Sequence, residues 1–156
     1  MDKNALEQIF SLKLKLQGFK KAGRTWHRQS GDFVQVINLQ KSAFGLQFYV
    51  NVALAPIGMP IKGLPTPSEN HCPIRIRLDI LSAEDSAIIF NIGNDMSDME
   101  RTAKIEQIFV SELFPFLDKI STLQEVRNAC TTGSFSHGLI SVDAKRYLSI
   151  DDTFHG

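Results

Sequence analysis

Very little in this sequence announces a function. There are two cysteines, Cys72 and Cys130, and no C-x-x-C pair. That excludes a disulfide scaffold or a zinc ribbon and predicts free thiols in a reducing compartment. Neither sign of charge is in excess: 17 Lys and Arg balance 17 Asp and Glu over 156 residues. The strong basic surplus of a dedicated nucleic-acid binder is missing. Apolar runs extend only a few residues, too short to cross a bilayer. The opening MDKNALEQIF lacks the basic-then-apolar layout of a secretory leader, so a cytoplasmic location is expected. No phosphate loop, dinucleotide fingerprint, H-E-x-x-H or metal-spaced Cys/His set occurs, and no cofactor is implied.

What is present is ordinary globular composition, long enough to bury a core as one domain spanning 1–156. The neutral total hides an asymmetry. Residues 1–28 carry seven basic side chains against Asp2 and Glu7, a net of +5, and residues 79–125 carry ten acids against three bases, a net of −7. The plain interpretation is two solvated surfaces. The sharper one is a basic patch that meets an acidic partner.

Helical spacing of Leu6, Ile9, Phe10 and Leu16 predicts a helix over 4–17, capped by Asn4 and stopped at Gly18. Strands are predicted at 24–29 and 33–40, joined by the turn Ser30-Gly31-Asp32 as a hairpin. The run 46–55 alternates cleanly. Leu46, Phe48, Val50, Val52 and Leu54 point one way, with Tyr49 and Asn51 on the other. Residues 56–73 hold five prolines, which predicts a long loop of functional or mobile character. Alternation resumes over 74–80, and a short strand is predicted over 87–92. Ser97 or Asp98 caps a helix with the stripe Ile105, Ile108, Phe109, Leu113 and Phe116, ended or kinked by Pro115. Ser121 and Gln124 fit a capping box for another helix. A loop over 131–138 and a helix over 141–150, with Tyr147 and Leu148 inward, lead to a frayed tail at 151–156. Early strands and late helices predict an α+β fold, a mainly antiparallel sheet packed on one face by helices.

If the apolar strand faces meet the helices, the other face presents Asn38, Gln40, Tyr49, Asn51, Arg75 and Arg77. Arg75 and Arg77, at i and i+2, project to one side, and guanidinium forks match carboxylate or phosphate. The plainer alternative is a solvated face with arginine paired to Asp79. His71 and Cys72 are adjacent, and His27 could join them, but two ligands do not close a metal site. No metal is assigned. Gly133-Ser134-Phe135-Ser136-His137-Gly138 superficially suggests a nucleophile elbow, yet the spacing is wrong. Glu69, Asp79, Glu84 and Asp85 show no spacing that marks a general acid–base pair.

The run from Gly18 to Trp26, the run Gly31 to Ser42, then Phe48-Tyr49-Val50-Asn51-Val52, the stretch His71 to Leu78 and Pro115 to Lys119 occur in an order that resembles the domain-of-unknown-function family 4304. The resemblance covers roughly 1–125. The segment Asp79 to Asp95 lacks the tryptophan-rich strand associated with that family. It implies a small bacterial cytoplasmic protein. It supplies no activity, cofactor or catalytic residue. Some such domains lie near toxin or immunity loci, so the resemblance also leaves room for a protein-binding, immunity-like role.

Three readings follow. The first, preferred, is a non-catalytic protein- or ligand-binding module using the polar sheet face, its partner a protein or a small anionic ligand, bound salt-sensitively. The second is a small enzyme with its site at the Pro-rich loop and sheet edge, using His71, Arg75 and Arg77. The third, a nucleic-acid binder through the basic N-terminal helix, is disfavoured by the neutral charge. Oligomeric state is not legible.

Overall fold

The structure is a computed structural model that describes residues 1–81 and 85–150. The expected frayed tail 151–156, the candidate acid Glu84 and the side chain of Ile80 lie outside the described residues.

Helix α1 (Lys3–Leu16) opens at Asp2, whose carboxylate accepts from the Ala5 amide at 2.8 Å. Asn4 is therefore inside the helix and not its cap. Gly18, at φ +84°, closes it: its amide reaches Lys15 O, and the Phe19 amide reaches Leu14 O. This is the double bond of a Schellman end, which needs a left-handed residue. Leu6, Phe10 and Leu14 are buried, whereas Leu12 and Leu16 are exposed, so Leu14 replaces Leu16 in the predicted stripe.

Six strands follow the chain in spatial order, β1-β2-β3-β4-β5-β6, each antiparallel to the next. They are β1 (Lys20–Ala22), β2 (Thr25–Ser30), β3 (Phe33–Lys41), β4 (Phe48–Pro56), β5 (Ile74–Arg77) and β6 (Leu139–Ile140). The fold is α+β with an antiparallel sheet, as expected. The short edges β1 and β6 were not. Gly31 turns the β2–β3 hairpin at φ +58°, and a Cβ there would lie 2.3 Å from Ser121 O. Glycine thus allows the turn to dock on the next layer, where the Asp32 amide donates to Ser121 O and Asp32 Oδ2 accepts from the Leu123 amide.

Two expected strands are shorter or absent. β5 stops at Arg77, and Leu78–Leu81 forms the helical turn α2. Residues 87–92 do not form a strand. Ser86–Ile89 is the short helix α3, and only Asn91 makes a bridge, to Gln47. β5 takes the edge of β4 over Asn51–Leu54, and residues 90–92 meet only its start, where the Phe48 amide donates to Phe90 O and the Ile92 amide to Leu46 O. The backbone oxygens of 88–89 are instead held by Arg101, fully buried, which donates to Ile89 O and to Asn94 Oδ1. Burial pushes that guanidinium below its ordinary value, while Asp98 and Glu100 oppose the shift.

Helix α4 (Asp98–Ile108), capped by Ser97, runs through a π-helical turn (Phe109–Leu113) into α5 (Phe114–Asp118). Pro115 has no amide to donate, and the wider turn lets the helix pass through it. The next capping box is Thr122 with Glu125, one residue beyond the expected pair, at the start of α6 (Leu123–Thr131). Ser121 is engaged with Ser30, Oγ to Oγ at 2.6 Å. The last helix, α7 (Val142–Leu148), buries Leu148 but leaves Tyr147 38% exposed.

The core lies between the helices and one sheet face. Phe10 packs against Trp26, Phe90 and Phe109 at ring-centroid distances of 5.6, 6.0 and 4.9 Å. Each large side chain so buried contributes about 1.5–3 kcal/mol. Val50, Val52, Leu54, Ile74 and Ile76 extend the same layer.

Candidate functional site

The sheet's other face is organised in cross-strand rows. One row is His27, Val36, Ala53 and Arg75; the next is Thr25, Asn38, Asn51 and Arg77; beyond it Gln40 faces Tyr49. The strand alternation places these side chains together, as expected. What alternation could not show is that only part of this face is open. The Pro-rich segment 56–73 folds back, and Ile61 and Leu64 pack on Val34, Val36, Ala53, Ala55 and Cys72. Prolines prevent that segment from pairing as a strand, and the small Ala53 and Ala55 leave space for it. The His27 Nε2–H donates to Pro67 O at 3.0 Å, which pins the loop from beneath.

The open part centres on a cleft of about 220 Å³, with Gln40 and Asn51 at its floor, Glu69, Arg75 and Arg77 on one side, and His137 to Leu139 on the other. Asn51 is 5% exposed and its amide donates to Gln40 Oε1 at 3.0 Å and Asn38 Oδ1 at 3.3 Å. Asn38 in turn donates to Thr25 Oγ1 at 3.0 Å. This chain of amides holds the floor rigid.

The two arginines share a side but differ in state. Arg75 is clamped by Glu69 through both carboxylate oxygens, at 2.7 and 3.2 Å. Glu69, in the 3₁₀ turn Glu69–His71, has only 10% of its side chain exposed. The carboxylate that meets an arginine here is therefore Glu69 and not Asp79. Arg77 lies over the Tyr49 ring at 4.3 Å from its centroid, and no described carboxylate pairs with it. Stacking fixes the plane of the guanidinium and leaves its edge free to donate.

His71 is exposed at the end of its turn and does not line the cleft. Its place is taken by His137. The possible trio His27, His71 and Cys72 makes no metal site, and among the described residues no group of three His, Cys, Asp or Glu could hold an ion. Burial raises the Cys72 thiol to about 12, with Glu69 adding and Arg75 opposing, and raises Cys130 to about 11. Thiols held protonated are poor ligands and nucleophiles. Ser134 and Ser136 lie with His137 along a neighbouring cavity of about 450 Å³. Among the described residues no serine hydroxyl bonds a histidine, so no elbow forms.

The sequence reading named Glu69 as a candidate acid and not as a clamp, met His137 and Gly138 only in the rejected nucleophile-elbow stretch, and did not single out Leu139. The last three come from 60 residues downstream. Their one local signal is Gly138, where a Cβ would lie 2.7 Å from Arg75 O. Only glycine lets this segment approach β5 closely enough for β6 to pair.

The sheet and its amide floor coincide with a known sequence pattern: the family model for a domain of unknown function, DUF4304, matches residues 10–119. The chain belongs to that family. The DUF4304 segment contains β1 to β5, the Pro-rich loop, Glu69 and both arginines, whereas the cleft wall at His137 to Leu139 lies beyond it. No curated protein and no solved structure matches the chain. Among the described residues no helix is long and apolar enough to cross a membrane.

Proposed function

We propose that this chain is a non-catalytic binding module whose open sheet face receives a carboxylate- or phosphate-bearing group, presented by a protein partner or a small ligand. The observation that carries this reading is Arg77: a guanidinium oriented by Tyr49, beside a floor of mutually bonded amides, with no described carboxylate pairing with it. Arg75 is already neutralised by Glu69, so its role is to hold the loop and not to bind the anion. An immunity-like inhibitor of an acidic protein surface is one form such a module takes. The unpaired thiols favour the cytoplasm as its compartment.

The test is affinity capture from native extract with wild type, Arg77→Glu and Lys15→Glu, read by mass spectrometry, followed by titration of the captured species at rising salt. A stoichiometric partner lost with Arg77→Glu, kept with Lys15→Glu and weakened by salt supports the reading. The same species captured equally by all three proteins defeats it.

A further inference from the structure

The net charge around the amide-floored cleft is small. Arg75, Arg77 and Glu69 line it, a net of +1 with histidine counted as neutral. We propose that the cleft selects a singly charged carboxylate over a doubly charged phosphate, and that Glu69 sets this choice. The choice rests on Arg77 being the anion contact, and it narrows the ligand to one chemical class.

Three features of the cleft favour a carboxylate. First, Glu69 is a fixed negative wall. Its side chain is 10% exposed, and Arg75 grips both oxygens at 2.7 and 3.2 Å. An ionised carboxylate has no proton to share, so it repels any anion beside it. A phosphate monoester, at about −1.5 to −2, is repelled nearly twice as strongly as a carboxylate. Arg75 is committed to Glu69, which leaves Arg77 as the guanidinium of the cleft without a described carboxylate. One cation matches one negative charge. Second, the uncommitted donors fit two oxygens. Gln40 and Arg77 flank Asn51 on the neighbouring strands. Stacking on Tyr49 at 4.3 Å leaves the Arg77 guanidinium its edge for a ligand. The Asn51 amide donates to Gln40 Oε1 at 3.0 Å, which occupies the acceptor end of the Gln40 side chain. The NH2 end has no hydrogen-bond partner among the described residues. A guanidinium edge and an amide NH2 serve the two oxygens of a carboxylate, whereas a phosphate presents three. Third, the facing wall is apolar at its tip. Leu139 is 52% exposed and lines the cleft. An alkyl carboxylate can cover it, and a strongly hydrated dianion loses water there without a partner.

The isotope-labelled full chain is titrated with butyrate, butyl phosphate and butanol at constant ionic strength and mildly alkaline pH, where an alkyl phosphate is a dianion. NMR follows the Arg77 Nε–H and the side-chain amides of Gln40 and Asn51. The expected result is a saturable shift with butyrate, binding weaker by roughly threefold or more with butyl phosphate, and no saturable shift with butanol. In Glu69→Gln the preference for butyrate should shrink by roughly threefold. Arg75→Gln, which keeps Glu69 and removes its partner, should widen it. Arg77→Gln should lose the amide shifts. Butyl phosphate binding as tightly as butyrate to the wild type overturns the proposal and leaves the anion site itself standing, and this comparison needs no variant. An unchanged preference in Glu69→Gln, or a narrower one in Arg75→Gln, also overturns it. No shift with either anion, an equal response to butanol, or shifts kept in Arg77→Gln overturn it together with the reading of Arg77 as the anion contact.

Discussion

Along β3 and β4 the surface turned away from the helices changes character between one cross-strand row and the next. Val36 and Ala53 lie under the Pro-rich loop in an apolar cluster. Two residues on, Asn38 and Asn51 form the floor of an open cleft. Both halves have the same backbone, the same pairing and the same alternation. The difference is which partner completes each one: apolar loop side chains on one side, amide–amide hydrogen bonds on the other. A sheet face can thus be half core and half site when the row chemistry switches where a covering loop ends.

The sharpest way to break this comparison is to exchange the two chemistries. Val36→Asn places an amide without partners beneath the loop and should cost about 3 kcal/mol, lost packing included. The reverse change, Asn51→Val, removes two hydrogen bonds beside solvent and should cost about 1 kcal/mol. Urea denaturation of both variants decides it, and equal losses would mean that the halves do not differ as described. Next in size, Glu69→Gln removes the clamp on Arg75. Because Arg75 is 35% exposed, the loss should be no more than about 1 kcal/mol, accompanied by tighter capture of anionic species as the cleft gains a free cation.

The Cys72 thiol tests the covered half by titration. Its folded value is raised from 9.0 to about 12, so the native state retains a proton that the unfolded chain releases. Stability from this group is complete below about 9 and is lost as pH rises from there toward 12. Between pH 8 and pH 9.5 the wild type should lose up to about 1 kcal/mol more than Cys72→Ala in paired urea titrations. An equal pH slope in both proteins would show the thiol to be solvated. The smallest effect is expected in the open half. Arg77→Gln should change stability by less than about 0.5 kcal/mol while abolishing partner capture, a separation of binding from folding that no residue under the loop could show.

How far the sequence revealed this depends on the range of the interaction. The strands 33–41 and 48–56 were legible because alternation is local, and with them the shared face of Asn38, Asn51, Arg75 and Arg77. The helix end at Gly18 was legible for the same reason. Residues 87–92 were misread as a strand because their apolar run is equally compatible with a buried helical turn, and Arg101 decides between them. The pairing of Arg75 with Glu69 required knowing that the proline segment turns back over the sheet. His71 was chosen for its neighbours in sequence, and His137 lines the cleft because β6 returns to β5.

That returning strand is two residues long, its ladder to β5 limited to Ile74–Ile140 and Arg75–Leu139. Strands this brief at a sheet margin are among the first to exchange their amides with solvent. The wall carrying His137 and Leu139 therefore costs less to displace than the amide floor, which sits between long central strands. Displacing this margin widens the cleft, while the floor between the long central strands keeps its shape.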